Sequence, residues 1–141
     1  MSSSLRTWMV ASVAALSIVG SGTVSSDAVA AAGCRGNACD GRNPHTTRCD
    51  QDARNLGNPI RGEGGPAVRL RVSSRCSAAW VLIEKGDHAW QGRIDIRGGK
   101  SYHVNATPSR PAYSLMVGTS HAYRACKQDL SDGAWSCGGW H

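Results

Sequence analysis

The chain is expected to fold as a mainly β domain: a small, disulfide-stabilised antiparallel sandwich or barrel with a loop-rich N-terminal segment and one short helix. Three observations carry that expectation. From residue 67 onward, apolar and polar residues alternate with period two in short runs separated by turn residues. The six cysteines, Cys34, Cys39, Cys49, Cys76, Cys126 and Cys137, form an even set in a chain that begins like an exported precursor. Residues 33–65 are rich in Gly, Asn, Asp, Arg and Pro and poor in aliphatic side chains, which is the chemistry of turns.

The N-terminal stretch reads as a leader. Arg6 is the sole charge before Asp27, residues 8–19 form a short apolar core, and Ala28-Val29-Ala30 is a small-x-small cleavage site. The dense apolar part stops short of the ~20 residues that a membrane span needs. Residues 1–32 are therefore assigned to a signal peptide cut after Ala30 or Ala32. Residues 33–141 are assigned to a single disulfide-rich β domain without a transmembrane segment, secreted or extracellular. Lipid attachment at Cys34 fits poorly, because Asp27 puts a charge just upstream and the apolar core ends too far away.

In the loop-rich segment a short helix is expected over residues 47–56, capped by Thr46 or Thr47, with Asp50 in its first turn and Gly57-Asn58-Pro59 as its stop. Residues 67–73 form a first strand, with Arg69 and Arg71 facing outward. Residues 76–84 form a second; its core, Trp80-Val-Leu-Ile83, is apolar on both faces and belongs in the middle of a sheet. Residues 88–97 are a third, with Trp90, Gly92, Ile94 and Ile96 on one face and Gln91, Arg93, Asp95 and Arg97 on the other. Residues 100–106 and 112–118 are a fourth and a fifth, and residues 121–127 and 134–138 a closing hairpin. For the hairpin through Gly98-Gly99, a loop of Gly98-Gly99-Lys100 pairs Ile96 with Tyr102, Ile94 with Val104 and Asp95 with His103, keeping apolar residues together.

The cysteines read as disulfides. No two of them have C-x-x-C spacing, so a thiolate metal centre is not expected. Six cysteines allow about 15 pairings. Cys126 with Cys137 is the preferred local bridge, and one of Cys34, Cys39 or Cys49 ties the loop-rich segment to Cys76. The loop Asp40-Gly41-Arg42-Asn43-Pro44, with Asp50 and Asp52, offers oxygen ligands for calcium but lacks the repeated acidic spacing of a built calcium loop; Asx-turns account for the same residues. Trp80 belongs to the core, whereas Trp90, Trp135 and Trp140 serve either as core or as exposed stacking platforms.

The motifs Cys34-Arg-Gly-Asn-Ala-Cys39-Asp-Gly-Arg-Asn-Pro44, Leu70-Arg-Val-Ser73, Cys76-Ser-Ala-Ala-Trp80, Ala125-Cys126 and Ser136-Cys137-Gly-Gly-Trp140 together resemble the YjfA-like family. These are small exported proteins of Gram-positive bacteria, grouped as a domain of unknown function. The resemblance spans essentially the whole mature chain and implies a fold and an export route, but no reaction. Asn43 stands where the family's D-G-K-D-P element has an Asp.

A net charge of +6 directs an exported protein toward anionic polymers. The expected function is thus non-catalytic binding of an anionic cell-envelope polymer, or of another extracellular partner, by a monomer without cofactor or metal. The candidate face comprises Arg69, Arg71, Arg93 and Arg97 with Asp95 and His103. Specific nucleic-acid recognition is not expected. Two other classes stand beside it: a protein-binding inhibitor or accessory factor, whose rigid loops lose little entropy on docking, and a small hydrolase or ribonuclease drawing on His88, His103 and His121 with Glu63 or Glu84.

Overall fold

The computed structural model describes residues 31–141. The expected leader lies outside the described residues except for Ala31 and Ala32. Nine strands among the described residues make two antiparallel sheets, so the mainly β expectation holds and the architecture is a sandwich. The first sheet has the order β1 (Arg54–Ile60), β2 (Val68–Ser73), β3 (Ala78–Ile83) and β6 (Ala112–Tyr113), with β7 (Val117–Gly118) also on β3. The second runs β5 (Ser101–Asn105), β4 (Trp90–Ile96), β8 (Tyr123–Asp129) and β9 (Trp135–Cys137). No helix among the described residues is long and apolar enough to cross a membrane.

The alternation in β2 sets the register. Leu70 faces Val81 and Val72 faces Ala79, so aliphatic residues of neighbouring strands fall on one side. That side packs against Ile94, Tyr123 and Ala125 of the second sheet to form the main core. β3 is apolar on its other side as well, where Ala78 and Trp80 meet Met116 and the cysteines of the N-terminal segment in a second core. Trp80 is 2% exposed. The strand expected at the middle of a sheet is therefore buried from both directions, by a sheet on one side and a disulfide-bonded cap on the other.

The cap corrects the expected helix at 47–56. Cys49–Asp52 is one 3-10 turn, opened by Arg48 in the left-handed region (φ 60°), and the chain then enters β1. The Pro44 carbonyl accepts from both Cys49 N (2.9 Å) and Asp50 N (3.2 Å), closing a tight turn, and the Cys49–Cys76 bridge pins that turn to the start of β3. β1 pairs with β2, Leu56 opposite Leu70 and Ile60 opposite Val68, and the register slips between those points. Gly57 at φ +69° absorbs the bulge, and Pro59 is tolerated because the strand lies at the sheet edge.

The expected strand at 112–118 divides in two. Between β6 and β7 the Ser114 hydroxyl replaces a ladder carbonyl by accepting from Val81 N at 3.0 Å, while Ser114 N donates to Val81 O. The hairpin register also differs from expectation. Ile94 faces Tyr102, Gly92 faces Val104 and Asp95 faces Ser101, around a turn of Arg97-Gly98-Gly99 with Ile96 N donating to Lys100 O. The offset is two residues, so inward and outward faces are unchanged. The expected Asp95–His103 pairing is not formed; His103 faces Arg93.

Lys127 is the outlier of the fold. Its side chain is buried, donates to the carbonyls of Arg61 and Gly64, and lies 4.4 Å from the centre of the Trp90 ring. Burial lowers its ammonium below the ordinary 10.5, with Asp129 opposing the shift. It ties the Gly-rich loop before β2 to the second sheet.

Candidate binding face

The outer face of the second sheet is assembled from alternating positions of four strands. β4 contributes Arg93 and Asp95, β8 contributes Arg124 and Cys126, β9 contributes Trp135 and Cys137, and β5 contributes Ser101 and His103. Cross-strand register puts Asp95 opposite Arg124 and Cys126 opposite Cys137. The Cys126–Cys137 disulfide closes the last hairpin and holds β9 on β8. Beyond β9 the chain stays beside β8, with Gly138 N bonded to Ala125 O (2.9 Å) and His141 N to Tyr123 O (2.9 Å). That return places Trp140 next to Arg124.

Asp95 is the centre of this face. Its side chain is 8% exposed although alternation points it away from the core, because arginines and the closing hairpin cover it. Arg93 Nε approaches Asp95 Oδ1 at 2.5 Å and Arg93 Nη2 donates to Oδ2 at 3.0 Å. Arg124 Nε donates to Oδ2 at 3.2 Å and the Ser101 hydroxyl to Oδ1 at 2.8 Å. Burial alone would raise the Asp95 carboxyl. The hydrogen bonds from Arg93 and Ser101, the Arg93 charge and the Arg124 hydrogen bond outweigh it and hold the group below its ordinary 3.8.

The guanidinium groups lie over indoles. Arg93 lies 3.8 Å above the Trp135 ring centre, and Trp140 lies between Arg124 at 4.5 Å and Arg97 at 4.8 Å. His103 meets the edge of Trp135 with ring centres 5.9 Å apart, and its Nδ1 is 3.1 Å from Gln91 Oε1. A guanidinium over an indole is attracted by the ring electrons and keeps N–H donors for a further partner, and arginine is suited to carboxylate and phosphate. Three arginines against one carboxylate leave the cluster with excess positive charge. At its end, Arg97, Lys100 and His121 line a cleft of about 250 Å³ with Asp40.

The structure divides the expected four-arginine face. Arg69 and Arg71 lie on the outer side of the first sheet, across the core from Arg93 and Arg97. Arg69 is paired with Glu84 (Nη2–Oε1 2.8 Å), and Arg71 bonds Asn55 Oδ1 (2.8 Å) and Ala53 O (3.2 Å). Arg124 was not among the expected residues, whereas Trp135 and Trp140, expected as core or as exposed stacking platforms, each lie against arginine. The alternation Tyr123-Arg124-Ala125 was the available signal for Arg124; which arginines Trp140 meets depends on the chain's return along β8.

The acidic loop is engaged in turns and tethers. Asp40 Oδ1 accepts from Gly118 N at 2.6 Å, and Asn43 Oδ1 accepts from His45 N at 2.8 Å and Thr46 N at 3.3 Å. Asp50 pairs with His45, and Asp52 accepts from the Ser73 hydroxyl and Arg75 N. Of the groups considered for acid–base chemistry, Glu84 is taken by Arg69, and His103 lies with Gln91 and Trp135 on the other sheet.

The family model described as "Protein of unknown function (DUF2690)" matches residues 37–126. No curated protein and no solved structure matches the chain.

Proposed function

The chain belongs to the DUF2690 family of proteins of unknown function, and from that premise we propose that it is an exported, non-catalytic domain that binds an anionic polymer of the cell envelope. In this reading residues 1–32 are the cleaved leader, residues 33–141 the secreted domain, and the family the one that the YjfA-like resemblance describes. Three internal disulfides among the described residues support an oxidising destination.

The observation that carries the binding role is the layer of Arg93, Arg124 and Arg97 on Trp135 and Trp140, with Arg93 and Arg124 held by Asp95. A stacked guanidinium is already ordered, so it loses less freedom on meeting an anion than a free one does. The binding set is therefore Arg93, Arg97 and Arg124, with Asp95 beneath and His103 at the margin, and Arg69 and Arg71 do not contribute. Arg97 is exposed and makes the cleanest test. In co-sedimentation with wall preparations, Arg97→Gln should weaken binding several-fold, while Arg69→Gln should leave it unchanged. Equal losses in the two variants would remove the assignment to the second sheet.

A further inference from the structure

Cys34, Cys39, Cys49 and Cys76 are spread through the N-terminal segment and the entry to β3, yet they converge in space. The turn at Gly36–Cys39 docks against β3 and β7: Gly36 N donates to Cys76 O at 2.7 Å. Gly118 opposite is packed so closely that a Cβ there would lie 2.6 Å from the Gly36 backbone. This sets the Cys34–Cys39 bridge beside the Cys49–Cys76 bridge, with Cys34 Sγ 3.8 Å from Cys49 Sγ. All four Sγ atoms lie within 4.8 Å of one another, and all four residues are buried against Trp80, Ala78 and Met116.

A tetrahedral Zn²⁺ centre with Zn–S bonds of about 2.3 Å has S···S edges of about 3.8 Å. The contact between the two bridges already has that length. Opening each bridge lets its two sulfurs part toward the same edge, from Cα atoms 5.2 and 5.7 Å apart. Cys34 and Cys39 also have the four-residue spacing found at the upper end of close thiolate pairs in zinc sites. We propose that, in the reduced chain, these four cysteines form a tetrathiolate site for Zn²⁺ or another thiophilic divalent cation. Each bridge takes two electrons and two protons from an external dithiol, which leaves as its own disulfide. The cation then binds four thiolates and releases the four thiol protons.

The cap over Trp80 thus has two alternative locks: two covalent bridges when oxidised, one cation when reduced. Asp95, Cys126 and Cys137 also bring three ligand atoms within 4.8 Å, but the carboxylate is committed to Arg93 and Arg124 and a fourth ligand is missing from that group. The site is therefore assigned to the cap alone, and it stands or falls separately from polymer binding.

The test is anaerobic titration of the phosphine-reduced full chain with Cd²⁺. The expected result is a thiolate charge-transfer band saturating at one equivalent, four of the six thiols protected from alkylation, and recovery of the near-ultraviolet dichroism of Trp80. Cys126→Ser/Cys137→Ser should keep the band and the tryptophan signal with all four of its remaining thiols protected, and Cys34→Ser/Cys39→Ser should lose the band. A band that needs Cys126 and Cys137, that survives Cys34→Ser/Cys39→Ser, or that forms without recovery of the tryptophan signal would overturn the proposal. So would the lack of any band.

Discussion

Arg93 and Asp95, two residues apart on β4, form an ion pair on the outer face of the second sheet at 2.5 Å, and the carboxylate is nearly as inaccessible as the core behind it. The pair turns a surface arginine into a fixed one. Asp95 also draws Arg124 across from β8, so a single carboxylate orients two guanidinium groups onto two indoles.

Asp95→Asn should lower stability by about 2 kcal/mol. The figure is below the ~3–5 kcal/mol typical of a broken buried pair because both arginines remain partly exposed. Urea unfolding at neutral pH measures it. A change below about 0.5 kcal/mol would show that the arginines are not anchored by this residue.

The same group sets a pH dependence. Its carboxyl is held below 3.8 in the fold, so its contribution is fully present above that value and is lost as pH falls through the lower folded value. Asp52, lowered because hydrogen bonds from Ser73 and Arg75 outweigh its burial, acts in the same direction. Thermal unfolding of the wild type should fall more steeply on acidification below about pH 4 than that of Asp95→Asn. Parallel curves would contradict the assignment.

The bridges should differ in weight. Chain-entropy arguments give about 3.5 kcal/mol for the 27-residue separation of Cys49 and Cys76 and about 2 kcal/mol for the 5-residue separation of Cys34 and Cys39. Cys49→Ala/Cys76→Ala should therefore be the more destabilising, and should expose Trp80 to quenchers. Equal midpoints for the two double variants would contradict this.

Gly65 should resist substitution. It has φ +67°, and a Cβ there would fall 2.2 Å from the Trp90 ring that lies beside Lys127. Gly65→Ala should cost about 2–3 kcal/mol in urea unfolding, whereas Gly64→Ala, which meets no atom within 4 Å, should cost less.

β2, β3 and β4 could be read directly from the sequence, because Leu70, Val81 and Ile94 sit in clear alternating or aliphatic runs. β1 could not, since Gly57-Asn58-Pro59 looks like a stop and works here as a bulge in an edge strand. The hairpin through Gly98 kept its faces but not its register, because a shift of two residues leaves the buried pattern intact and only turn geometry separates the choices. Alternation correctly pointed Arg69 and Arg93 outward, yet it carries no information on which sheet a strand joins. The burial of Asp95 was hidden for a related reason: its cover comes from Arg124 and the closing hairpin, far along the chain.

The most direct test of the account is the salt dependence of binding to an anionic wall polymer, comparing the wild type with Arg97→Gln. Because the contacts are charge pairs at an exposed face, affinity should fall by about tenfold or more between 50 and 500 mM salt, and less steeply in the variant. Affinity that is undetectable at low salt, or the same at both concentrations, would contradict it.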